Sequence, residues 1–139
     1  MAIGEDLIIA NTNLYNVDGF FNLDIVGRDL HIHNNPDLDN LDGFFRLISI
    51  EGDLEIIGNS DIRYLDGFDN LVMIDGSLTI RENERLLDID ALYELTVLGG
   101  DLDISYNERL CDADVEQFVL YMTDMGWMGT SIVDNNDPC

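Results

Sequence analysis

Residues 76–89 read "GSLTIRENERLLDI". Leu78, Ile80, Leu86 and Ile89 have the spacing of core residues, yet Asn83 sits among them. The same amide recurs in "DLHIHNNPDLDNL" (Asn35), "DLEIIGNSDIRYL" (Asn59) and "DLDISYNERL" (Asn107). With Asn11 these form a column stepping by 24 residues. Other columns keep the step: Ile8, Ile32, Ile56, Ile80, Ile104, and Leu14, Leu38, Ile62, Leu86, Leu110. Val17, Leu41, Leu65, Ile89 and Ala113 follow, and then Phe20, Phe44, Phe68, Leu92. Leu23, Leu47, Leu71, Leu95 and Val26, Ile50, Ile74, Leu98 complete the set. Gly19, Gly43 and Gly67 mark a turn whose fourth member is Ala91. Only the opening "GEDLIIAN" admits a second register, one residue away.

A fixed period without insertions means that each repeat is one turn of a solenoid. One turn cannot bury its own apolar side chains, so stacking makes the core. The alternating L-x-I stretch reads as a strand paired in parallel with its equivalent one repeat on. The L-x-x-I stretch reads as a second, shorter strand, and D-G-F-x-x-L as a tight or 3₁₀ turn. Backbone groups at the corner after each strand lose their sheet partners. A buried Asn carries both donors and acceptors and satisfies them. The column Asn11, Asn35, Asn59, Asn83, Asn107 is therefore expected to be a structural ladder. The parallel column Asp18, Asp42, Asp66, Asp90, Asp114 is expected to cap the turns by accepting backbone N–H bonds.

After Cys111 the pattern changes. "DADVEQFVLYMTDMG" places Val115, Phe118, Val119 and Met122 on one stripe, with Gly126 as a stop. Asp112 or Asp114 is expected to cap this helix, which spans about 113–125. The expected fold is mainly β: a right-handed, leucine-rich-repeat-like parallel β-helix. Five 24-residue coils fill 1–110, and a cap of helix and tail fills 111–139. The only two cysteines, Cys111 and Cys139, are expected to close that tail as a disulfide, which implies an oxidising compartment. No lid precedes the first coil, so its open edge invites self-association.

The net charge is -23, and all six basic residues are Arg. Such a surface repels phosphate backbones and anionic lipid, which argues against nucleic-acid and membrane partners. It suits a salty habitat or a protein that holds cations. No apolar run is long enough to span a membrane. The start "MAIGEDLII" has no signal-peptide pattern. Because the repeat begins almost at residue 1, the chain is expected to be part of a longer protein, with its leader outside it.

The consensus G-x-L-x-I-x-x-N-x-x-L-x-x-L-D-G-F-x-x-L-x-x-I resembles the receptor L domain. That domain forms the ligand-binding lobes of insulin-receptor and epidermal-growth-factor-receptor ectodomains. Bacterial surface and secreted proteins carry similar arrays, often ending in N-x-x-L-C-x-x-x-V-x-x-F and a final Cys. "NERLCDADVEQF" and Cys139 match that ending. The resemblance implies an extracellular or cell-surface, non-enzymatic recognition module for a protein or glycan. The receptors' ligand contacts lie outside the motif, so no binding residue carries over. The alternative is a structural spacer or self-associating unit.

Outward positions on the first strand are the expected ligand face: His31, His33, Glu55, Ile57, Thr79, Arg81, Asp103 and Ser105. In the stacked columns, Glu5 is expected beside Asp29, Leu7 beside His31 and Ile9 beside His33. His31 and His33 lie two apart on one strand, so both rings point one way. With Asp29, Asp53 and Glu55 they form a candidate Zn²⁺ or Cu²⁺ cluster. Asp29 and Asp53 are also a candidate Ca²⁺ site. A further candidate is apolar, formed by Phe21, Phe45, Tyr93, Ile48, Val72, Met73 and Val97. Catalytic signatures are missing: there is no G-x-S-x-G elbow, no phosphate-cradling Gly loop and no Cys beside a His. The five Thr are scattered, which excludes an ice-binding ladder.

Overall fold

The structure is a computed structural model that describes residues 1–135, 137 and 139. In chain order the strands are β1 (Ala2–Ile3), β2 (Leu7–Ala10), β3 (Ile25–Val26), β4 (Leu30–His33), β5 (Ser49–Ile50) and β6 (Leu54–Ile57). They continue with β7 (Met73–Ile74), β8 (Leu78–Arg81), β9 (Val97–Leu98) and β10 (Leu102–Ser105). Helix α1 (Asp112–Asp124) and β11 (Ser131–Asp134) end the chain. The short strands form one parallel sheet, β1-β3-β5-β7-β9. The long strands form the other, β11-β10-β8-β6-β4-β2. Turns of 3₁₀ helix at Asp18–Phe20, Asp42–Phe44, Asp66–Phe68 and Asp90–Glu94 stack beside them. The result is a repetitive, solenoid-like β fold with one C-terminal helix.

Inward residues of both sheets pack into a single apolar cluster. The Phe column is a stack, with Phe20–Phe44 and Phe44–Phe68 ring centroids 5.6 Å apart. The turn glycine is a packing requirement. A Cβ on Gly43 would overlap the Val17 carbonyl oxygen, and one on Gly67 the Leu41 carbonyl oxygen. Ala91 is accommodated in the fourth repeat, where the 3₁₀ segment is longer.

The first repeat settles in the second register. Leu7 pairs with Leu30, Ile8 with His31, Ile9 with Ile32 and Ala10 with His33. Ile9 is therefore the core residue, 5 % exposed, whereas Ile8 is 59 % exposed. The offset is 23 residues up to Thr12 and 24 from Val17 onward, so the first repeat is one residue shorter between them. Neither Leu14 nor Tyr15 reaches the core as a result. Ala113, expected in the core, lies exposed on the helix surface.

The Asn ladder forms, with corrected ends. The Asn35 N–H donates to Asn59 Oδ1 (3.2 Å), Asn59 N–H to Asn83 Oδ1 (3.0 Å) and Asn83 N–H to Asn107 Oδ1 (3.0 Å). Each Nδ2 donates to the same oxygen and to a strand carbonyl of the preceding repeat: Ile9, Ile32, Ile56 and Ile80. Asn11 is not a rung. It is exposed with φ 56°, one residue upstream of the rung position. Thr12 takes that place, its N–H and Oγ1 donating to Asn35 Oδ1 (3.1 and 2.7 Å). At the far end Asn135 is a sixth rung, accepting from Asn107, and it donates to the Asp112 carboxylate (2.8 Å).

The residue after each of β2, β4, β6, β8 and β10 has positive φ: Asn11, Asn34, Gly58, Glu82 and Tyr106. That left-handed residue makes the corner. Asn and Gly adopt it at little cost, whereas Glu82 and Tyr106 hold it because the stacked repeats impose it.

The Asp column does not cap the turns. The side chain two residues earlier opens three of them: Asn16, Asn40 and Asp88 accept the N–H of Asp18, Asp42 and Asp90. Nor does Asp112 or Asp114 cap α1, whose N-cap is Cys111 with no side-chain cap bond. Both carboxylates still favour the positive end of the helix dipole. Val115, Phe118 and Met122 are buried against the last repeat. Tyr121 and Trp127 anchor the cap by donating to the Tyr93 and Gly100 carbonyls (2.7 and 2.9 Å). Cys111 and Cys139 are disulfide-bonded, with Cα atoms 5.3 Å apart.

Asn83→Ala should cost about 3 kcal/mol, because the buried Asn59 N–H loses its acceptor. Asn11→Gly, which keeps the left-handed corner, should be near neutral. Urea denaturation of both variants checks the corrected ladder. Cys139→Ser should cost roughly 3–4 kcal/mol, since the bond closes a loop of 28 residues in sequence separation. Urea curves of the variant and of the reduced wild type should coincide.

Candidate functional site

The outward face of the long-strand sheet carries two columns: Ile8, His31, Glu55, Thr79, Asp103, Ile132, and Ala10, His33, Ile57, Arg81, Ser105, Asp134. Ile8 and Ala10, not Leu7 and Ile9, therefore flank the two histidines. The face is mostly half-buried, because neighbouring side chains cover one another.

The acidic column just upstream is structural. The Asp29 N–H donates to Asp6 Oδ1 (3.1 Å), Asp53 N–H to Asp29 Oδ1 (2.8 Å) and Ser77 N–H to Asp53 Oδ1 (2.7 Å). Asp101 N–H donates to Ser77 Oγ and Thr130 N–H to Asp101 Oδ1, both at 3.0 Å. Asp6, not Glu5, opens this second ladder. Glu5 instead pairs with Arg28 (3.0 Å) and holds its guanidinium pKa above the usual range. Asp29 and Asp53 thus each commit one oxygen to the corner and keep the other.

His31 and His33 stack with ring centroids 5.1 Å apart and planes 7° from parallel. Glu55, on the next strand, reaches both: Oε1 lies 3.2 Å from His33 Nε2 and Oε2 lies 3.8 Å from His31 Nε2. Asp29 Oδ2 stands 3.8 Å from His31 Nε2. Donor atoms of His31, His33 and Glu55 all lie within 4.8 Å of one another. Asp53 is outside this group, its Oδ1 held by Ser77.

Farther along, Arg81 lies over the Tyr106 ring at 5.3 Å, and its Nε is 3.9 Å from Asp103 Oδ2. Ser105 is buried, with its hydroxyl donating to Asp103 Oδ1 (2.6 Å). Ile57 and Thr79 lie between the two clusters. Among the described residues, two buried side-chain nitrogens have no hydrogen-bond partner: His33 Nε2 and Arg81 Nε. Both belong to the same outward column, two strands apart.

The short-strand side has the opposite character. Phe45, Ile48 and Val72 line an open groove with Asp24, Arg46 and Asn70. Phe21 and Val97 are also exposed and Met73 is half-buried, whereas Tyr93 packs its ring against Phe118 and Tyr121 of the cap.

No family model, no curated protein and no solved structure matches this chain. Among the described residues no helix is long and apolar enough to cross a membrane.

Asp66 reports the cost of the acidic turns. Burial raises its pKa, and the charges of Asp69, Asp42 and Asp90 raise it further. A raised folded-state pKa means that the folded chain holds this proton to higher pH than the unfolded chain. The contribution to stability is present at low pH and lost as pH rises through the folded value. Asp66→Asn should therefore raise the melting temperature at pH 7, with the gain shrinking on acidification. Melting curves from pH 3 to 7 at low salt check this.

Proposed function

We propose that this chain is a non-enzymatic recognition module of an extracellular or cell-surface protein. In this reading it is a right-handed, leucine-rich-repeat-like β-helix resembling the receptor L domain. It binds a protein or glycan through the outward face of the long-strand sheet. The observation that carries the choice of face is the pair of unsatisfied nitrogens, His33 Nε2 and Arg81 Nε, in one column. Buried polar groups are nearly always paired, so two exceptions flanking Ile57 mark where a ligand completes the hydrogen bonding. The strands between them put these groups roughly 10 Å apart, a span suited to an extended peptide or a sugar chain.

Two further features support the reading. The acidic column Asp6, Asp29, Asp53 and Asp101 serves the corners, each side chain accepting a backbone N–H. The disulfide fits an oxidising compartment. A second reading, end-to-end self-association, is favoured by β1 and β2 being the outer strands of their sheets.

The test is a screen of the immobilised chain against glycan and surface-protein arrays, with each binder re-measured on variants. Arg81→Ala or Thr79→Arg should weaken binding at least tenfold, about 1.4 kcal/mol. Ile48→Asp, on the other sheet, should not. The reverse pattern would move the ligand to the apolar groove. Mass that grows with concentration would favour the self-associating unit.

A further inference from the structure

We propose that His31, His33 and Glu55 form a binding site for one late first-row divalent ion, Zn²⁺ in the first instance. Asp29 supports it from the neighbouring position. The site joins the second and third repeats on the long-strand face; an ion there takes His33 Nε2 and leaves Arg81 Nε as the unsatisfied nitrogen for the macromolecular ligand.

The argument starts from the strand. Alternation sends His31 and His33 to the same side, and the parallel register sets Glu55 directly opposite His31. One carboxylate therefore faces two imidazoles. Around a tetrahedral ion with bonds near 2.05 Å, donor atoms sit about 3.3 Å apart. His33 Nε2 and Glu55 Oε1 are already 3.2 Å apart, and His31 Nε2 is 3.8 Å from Oε2. Small side-chain rotations close the set.

The contact is not an ordinary hydrogen bond. His33 Nε2 lies close to Glu55 Oε1 yet forms no hydrogen bond to it or to any other described group. A cation between the two groups would take both as donors. Two imidazole nitrogens with one carboxylate oxygen suit Zn²⁺ or Cu²⁺ and disfavour Ca²⁺ and Mg²⁺, which take oxygen donors. Three protein donors leave a fourth position for water or for a ligand group.

The surroundings favour a dication. Asp29 keeps Oδ2 beside His31 while its Oδ1 is held by Asp53 N–H, so its orientation is fixed by the corner ladder. The net charge of -23 raises the local cation concentration without selecting among cations. Selection has to come from the imidazoles.

Isothermal titration of the chelator-treated chain with Zn²⁺ and with Ca²⁺, at matched ionic strength, tests the proposal. Expected are one Zn²⁺ per chain, a higher melting temperature with Zn²⁺, and no comparable site for Ca²⁺. His31→Gln, His33→Gln and Glu55→Gln should each raise the Zn²⁺ Kd at least tenfold. Asp29→Asn keeps the Oδ1 acceptor and should raise it about tenfold. Asp103→Asn, on the same face, should change nothing. The proposal is overturned if wild-type chain shows no saturable one-to-one binding. Equal affinity for Ca²⁺, or an unchanged Kd in both His variants, would equally reduce the cluster to surface acidity. The His variants should melt like the wild type without metal, since both side chains are half-buried and outward. None of these readouts involves the macromolecular ligand, so failure here leaves the recognition reading standing or falling on its own test.

Discussion

A one-way line of amide hydrogen bonds runs through the long-strand side of the molecule, and the stacking of repeats depends on it. Each Asn oxygen takes the N–H and side-chain amide of the repeat before it, and each amide also reaches a strand carbonyl. Corners are where a solenoid loses its sheet bonding, and buried unpaired backbone there would cost more than packing returns. The line needs ends of different chemistry. At the start Thr12 supplies donors without needing an acceptor from a further repeat. At the finish the Asp112 carboxylate supplies an acceptor and demands nothing back.

A second line, Asp6 to Thr130, brackets the same strands on their upstream side. Together the two lines give a structural role to five acidic residues, Asp6, Asp29, Asp53, Asp101 and Asp112. A carboxylate oxygen accepts a backbone N–H as an amide would, and it keeps the surface charged. The cost surfaces where acidic columns stack without such partners, as at Asp66. What the two lines leave over is the outward face between them, where His33 and Arg81 hold nitrogens that no described residue satisfies. Function is therefore sought in the residues that the folding logic does not use.

The C-terminal segment closes the stack by a different device. α1 buries an apolar stripe over the last repeat, while β11 returns to extend the long-strand sheet and deliver Asn135 to the line. The disulfide ties the N-cap of the helix, Cys111, to Cys139, beyond that strand. A lid and a sixth rung thus come from one excursion, because the helix uses up the chain length that a short strand and turn would have occupied.

By itself the sequence determined the parallel repeat, its inward columns, the central rungs Asn35, Asn59, Asn83 and Asn107, the helix stripe and the pairing of histidines on one strand. These depend on periodicity, and a period needs no knowledge of contacts. Tertiary structure decided everything at the boundaries of that period. The deletion between Thr12 and Val17 replaced Asn11 by Thr12 and Ile8 by Ile9, since only stacking against the second repeat chooses between two registers one residue apart. Asn135 was hidden because its strand omits the left-handed corner residue and follows a helix of unrelated length. The tail did leave a trace, a β-branched pair, Ile132 and Val133, shortly before an Asn in "SIVDNN". The division of the acidic residues also needed coordinates. Asp29, Asp53 and Glu55 are alike in sequence, but Asp29 and Asp53 each give one oxygen to a corner N–H, Asp29 keeps the other beside His31, and Glu55 alone reaches between the imidazoles. Charge is legible in a sequence; which lone pairs remain free is settled by the neighbours that folding brings.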